Sequence, residues 1–128
     1  MKVDFVKLQG KIITEIEVSK DSTSIRIVCD DGYIYNMYHE QDCCEDVHLE
    51  DICGDLEDLI GVPILLANET TSDKDPSPNA EYFMWTFYTL RTIKGTVTLR
   101  WWATQMVAMQ LMLKYMKLYH RNSSNFFI

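Results

Sequence analysis

Between Asp42 and Gly61 the chain reads DCCEDVHLEDICGDLEDLIG, a stretch with three of the four cysteines, His48, and eight acids without a single Lys or Arg. Thiolate, imidazole and carboxylate are all zinc donors, so the sharpest metal reading takes Cys43, Cys44 and His48, with Asp51 as a fourth donor. The spacing is poor for it. Adjacent cysteines point in different directions, and no CxxC or HxxxH pattern supports them. A capped, partly buried turn is the plainer expectation, and no cofactor is assigned.

Catalytic readings fare no better. Glu50, Asp51, Asp55, Glu57 and Asp58 could supply paired carboxylates for acid/base work, but acids this dense on a short helix are more often its solvated face. Cys44 with His48 or His39 could make a nucleophile and base, yet no oxyanion motif accompanies them. The chain contains no GxGxxG, P-loop, HExxH or GxSxG pattern. No catalytic residue is assigned, and a protein that binds without turnover is expected. A second cluster, Trp85, Phe87, Tyr88, Trp101 and Trp102 with Arg91 and Arg100, has the composition of a base-stacking surface. Ordinary β-core is the better expectation for those aromatics. The alternative is a small nucleotide held near Trp85, Arg91, Arg100 and Trp102.

A chain of 128 residues fits one domain, able to bury roughly two-thirds of its unfolded surface. A net charge of -7 repels a phosphate backbone, which argues against direct nucleic-acid binding and suits a basic protein partner. Cys43 and Cys44 are adjacent and no signal-peptide pattern precedes them, so reduced thiols in a cytoplasmic protein are expected. No run of about 18 apolar residues predicts a membrane span.

The elements that must position these groups follow from periodicity. Met1–Gly10 alternates weakly and suits a short strand or a packed lead-in. Lys11–Val18, Ser24–Cys29 and Tyr33–His39 read as a three-strand meander, with Ile12, Thr14, Ile16 and Val18 sharing one face of the first. Asp30-Asp31-Gly32 supplies a tight turn. Val47–Ile52 suits either a strand or a first helical turn. Asp55 caps a short helix over Asp55–Ile60, Gly61 ends it and Pro63 prevents continuation. Ile64–Ala67 reads as a strand and Asn68–Ala80 as an exposed loop. Tyr82–Arg91 and Thr96–Trp102 form a hairpin around Ile93-Lys94-Gly95. Ala103–Tyr119 then has helical composition with four methionines spaced along it, and residues 120–128 form a tail. The predicted fold is thus α+β, one domain over 1–128: an antiparallel sheet of about six strands over 11–102, one short helix, and a C-terminal helix over 103–119 that packs on the sheet or pairs two copies into a homo-oligomer.

The motifs DGYIYNMYHEQDCCEDVHLEDICGDLEDLIGVPIL and WTFYTLRTIKGTVTLRWW resemble a family of short uncharacterised proteins found largely in phage and prophage genomes. The resemblance covers about Lys11 to Trp102 and implies a mostly β fold and a phage context, with no functional residues to carry over. It stops after the Arg-Trp pair, where relatives continue with a Gly- and Asn-rich turn and another strand. Codons for Trp102–Lys114 read two nucleotides later can encode Gly-Asn-Ser-Asn-Gly-Ser-Tyr-Ala-Ile-Asn-Val-Glu, so a frameshifted tail is expected here. With the acidic stretch, this context predicts an accessory protein that counteracts a bacterial defence effector, as anti-CRISPR proteins do, by presenting Glu50, Asp51, Asp55 and Asp58 to a basic channel. A nucleotide-sequestering sponge is the alternative, and a small metal-stabilised protein a third.

Overall fold

The computed structural model describes residues 2–38, 45–72, 82–105 and 117–122, and their regular structure is almost all strand. Among these residues nine strands follow in order: β1 (Lys2–Val3), β2 (Ile13–Val18), β3 (Ser24–Cys29), β4 (Tyr33–Tyr38), β5 (Glu45–Cys53), β6 (Leu66–Ser72), β7 (Tyr82–Thr92), β8 (Gly95–Gln105) and β9 (Lys117–Asn122). Every pairing between them is antiparallel. One sheet has the order β1-β9-β4-β3-β2 and the other β5-β8-β7-β6.

Alternation decides which side of each strand is buried. Ile25, Ile27 and Cys29 of β3 and Tyr35 and Met37 of β4 join Val47 and Leu49 of β5, Tyr88 and Leu90 of β7, and Val97, Leu99 and Trp101 of β8 in one hydrophobic cluster. That cluster is the inner layer, and it leaves each sheet an outer face. Burial raises the Cys29 thiol to about 11, which keeps it protonated in the core. Cys29 and Cys53 are free thiols.

In β2 a register shift between Ile13 and Glu15 changes the phase of the strand. Ile13, fully buried, thereby joins Ile16 and Val18 on the core side, whereas strict alternation had paired Ile12 and Thr14 with them. Ile12 instead bridges to Pro63.

The fold class differs from α+β: among the described residues there is no α-helix, only 3-10 turns at Phe5–Leu8 and Leu56–Leu59. The expected C-terminal helix over 103–119 is overturned at both ends. Ala103–Gln105 continue β8, where Ala103 pairs with Val47 and Met84, and Lys117–Tyr119 lie in β9 between β1 and β4. Ladder pairing on both sides outweighs local helix propensity there. The ground for a helix-mediated homo-oligomer falls with it. The short helix at Asp55–Ile60 is a single 3-10 turn, Phe5–Leu8 is a turn where the lead-in was read, and β6 runs on to Ser72 into the segment expected to be loop. No helix among the described residues is long and apolar enough to cross a membrane.

The β7–β8 turn is latched to the Leu56–Leu59 turn. Thr92, 4% exposed, donates its hydroxyl to the Asp58 carbonyl at 2.5 Å and accepts the Lys94 amide at 3.0 Å, while Lys94 Nζ donates to the Ile60 carbonyl. Thr92→Val keeps the shape and strands both backbone groups, so unfolding in urea should show a loss of about 1–3 kcal/mol. An unchanged midpoint would mean that water replaces the latch.

Candidate functional site

The acidic stretch becomes an edge strand with a bulge. Val47 and Leu49 are buried, Ile52 packs against the core, and two acids, Glu50 and Asp51, separate Leu49 from Ile52. Period two cannot bury both Leu49 and Ile52, so the register shifts between Leu49 and Asp51, leaving Glu50 and Asp51 exposed and returning Ile52 inward. Beside the bulge a shallow depression of about 300 Å³ opens between β5 and the β2–β3 turn, lined by Val18, Ser22, Leu49, Glu50, Asp51 and Ile52. The Leu49 amide donates to the Ser22 carbonyl at 2.8 Å, closing that part of the strand edge.

On the outer face of the second sheet, His48 lies between two acids at i±2. Its Nδ1 is 3.1 Å from Asp46 Oδ1 and its Nε2 is 2.9 Å from Glu50 Oε1. Carboxylates accept only, so the ring donates to both together when it is protonated. Burial works against the charged ring, but the hydrogen bonds to Glu50 and Asp46 outweigh it, and the His48 pKa is raised. A raised folded-state pKa gives stability that is complete below the ordinary value of 6.5 and is lost as pH rises through the folded-state value. Denaturation midpoints from about pH 5 to about pH 9 should therefore fall across that window in the wild type relative to His48→Gln. Parallel curves for the two proteins would refute the coupling.

Across the ladder His48 faces Trp102, and Trp102 faces Trp85. The two indoles lie 4.6 Å apart at 57°. The Arg100 guanidinium sits 4.6 Å from the Trp85 ring centroid and 3.6 Å from Asp51 Oδ2, and its buried Nε has no hydrogen-bond partner among the described residues. This face is therefore an aromatic pair carrying one stacked guanidinium, bordered on β5 by Asp46, Glu50 and Asp51.

The site residues expected from sequence divide accordingly. Glu50 shares His48; Asp51 accepts the Ile52 amide through Oδ1 and pairs with Arg100 through Oδ2. Asp55 caps the Leu56–Leu59 turn by accepting the Glu57 amide at 3.0 Å. Asp58 packs its carboxylate against Gly95 and is half-buried, so it belongs to the latch. Of the ligand set, Trp85, Arg100 and Trp102 meet. Arg91 lies six residues beyond Trp85 along β7, roughly 20 Å away, and cannot share a small pocket with them. Of the metal set, Cys43 and Cys44 lie outside the described residues, and among the described residues no group of three His, Cys, Asp or Glu side chains is placed to hold an ion. Asp46 was missed. The signal for it was the Asp-x-His-x-Glu spacing, which puts all three side chains on one side of a strand.

No curated protein and no solved structure matches the chain. A family model does match, over residues 6–106, a range that contains strands β2 to β8. The chain belongs to the family described as a domain of unknown function, DUF7448.

Proposed function

We propose that this is a non-enzymatic binding protein that receives a basic protein surface on the outer face of the β5-β8-β7-β6 sheet, and that it is a phage or prophage product directed against a bacterial defence effector. One observation carries the binding surface: three carboxylates of β5 border a tryptophan pair that already holds a guanidinium. Such a surface complements cations. A nucleotide phosphate would approach Asp46, Glu50 and Asp51, while Arg100, the guanidinium over Trp85, is engaged by Asp51. That disfavours the sponge. A cytoplasmic site of action accompanies the proposal, as a defence effector is met inside the host cell.

The defence target can be tested in bacteria that carry a nucleic-acid-targeting defence system. Expression of the wild type should restore phage plating, and the Asp46→Lys/Glu50→Lys variant should not. Equal protection by both would remove the acidic face from the account. Asp51, Asp55 and Asp58 are poor choices for reversal, since each holds local structure. The frameshift proposal stands beside this one: the family match ends at residue 106, one residue beyond β8. Closely related genes should encode the Gly- and Asn-rich continuation in frame, and relatives that all encode the Met-rich segment would refute it.

A further inference from the structure

We propose that His48 is a proton-operated counter-ion of the acidic face: its protonated ring holds Asp46 and Glu50, and its deprotonation releases a carboxylate to a cationic partner. This rests on the basic-partner reading above and names what regulates it.

The geometry supplies the switch. Both ring nitrogens of His48 lie at hydrogen-bond distance from a carboxylate oxygen, Nδ1 at 3.1 Å from Asp46 and Nε2 at 2.9 Å from Glu50. Only the imidazolium carries a proton on each nitrogen, so only that form serves both acids together. A neutral ring keeps one N–H. Its other nitrogen then turns a lone pair toward a carboxylate, two acceptors face each other, and that carboxylate swings to solvent. Both acids have room to do so, with side chains 64% and 43% exposed.

No other charged group takes the proton's place. Among the described residues Asp46 and Glu50 have no ion-pair partner besides His48. Across the ladder β8 sets Trp102 opposite His48 and Thr104 opposite Asp46, and its only charged residue, Arg100, pairs with Asp51. The β2–β3 turn meets β5 at Leu49; there Asp21 is held by Ser19 and Thr23, and Lys20 is exposed. Burial opposes the charged ring and the two hydrogen bonds outweigh it, so the change falls above the ordinary 6.5. Below it the ring offsets one acid; above it the face gains that negative charge.

Calorimetric titration with acetylated, amidated hexa-lysine at low ionic strength reads the switch, because the peptide's charge is fixed between about pH 5.5 and about pH 8.5. Affinity for the wild type should rise about fivefold across that range relative to His48→Gln, the worth of one surface ion pair. Asp46→Lys/Glu50→Lys should bind weakly throughout. Histidine ring resonances give a second reading on the wild type alone: by reciprocity, saturating peptide should lower the His48 midpoint by roughly 0.7 pH units, the same factor of five. Parallel pH profiles for the wild type and His48→Gln, or a midpoint that the peptide leaves unmoved, overturn the switch and leave the basic-partner reading standing. Hexa-lysine binding that Asp46→Lys/Glu50→Lys does not weaken, or no binding at any pH, overturns both.

Discussion

Gly54→Ala is expected to cost about 3 kcal/mol or more of folding stability, a large share of the margin of a small domain. Gly54 has φ +114°, a conformation that L side chains rarely adopt. A Cβ there would stand 2.5 Å from the Thr96 carbonyl oxygen and 3.1 Å from the Val97 Cα, both backbone atoms that cannot turn aside. Relief would require β5 to lift from β8 at the point where the acidic edge strand gives way to the Asp55-capped turn. Thermal or urea unfolding reads the loss directly. Near-wild-type stability in Gly54→Ala would mean that this junction is looser than its packing implies.

The second large effect falls on binding. Asp46→Lys/Glu50→Lys places two like charges against a cationic partner, and such juxtapositions cost several kcal/mol, so affinity should drop on the order of a hundredfold. Folding should lose no more than the His48 contribution described above, because both residues are exposed on an edge strand and their link to His48 is a surface contact. The remaining wild-type affinity should fall steeply with added salt, and the variant's should not. A variant that binds as tightly as the wild type, with the same salt dependence, would show that the partner sits elsewhere.

Much of this architecture was legible where alternation is regular. The strands of the β2–β3–β4 meander and the β7–β8 hairpin follow from alternating residues and from Asp31-Gly32 and Lys94-Gly95, with Gly32 at φ +91° in its turn, but the inward side of β2 was misread because the shift between Ile13 and Glu15 breaks its alternation. Of the aromatics expected in the β-core, Trp101 lies there at 2% exposed, whereas Trp102 lies half-buried on the opposite side of β8 with Arg100. Strand β5 was ambiguous because its bulge interrupts the alternation at Glu50-Asp51, which mimics the first turn of a helix. Ala103–Gln105 were misread because propensity is local while their pairing with both β5 and β7 is not. In the site, the charge was visible from composition. Its employment was not, since the cap at Asp55, the packing of Asp58 on Gly95 and the Asp51–Arg100 pair all depend on residues brought together by folding.

The central claim is that a cationic partner lies across the outer face of β5, β8 and β7. Amide hydrogen exchange of the isolated protein and of its complex tests this most directly. New protection should concentrate on residues 45–53 of β5, with smaller gains in the outward-facing positions of β8 and β7, and β2 and β3 should exchange as before. Protection concentrated on β2–β4, with β5 unchanged, would contradict the account.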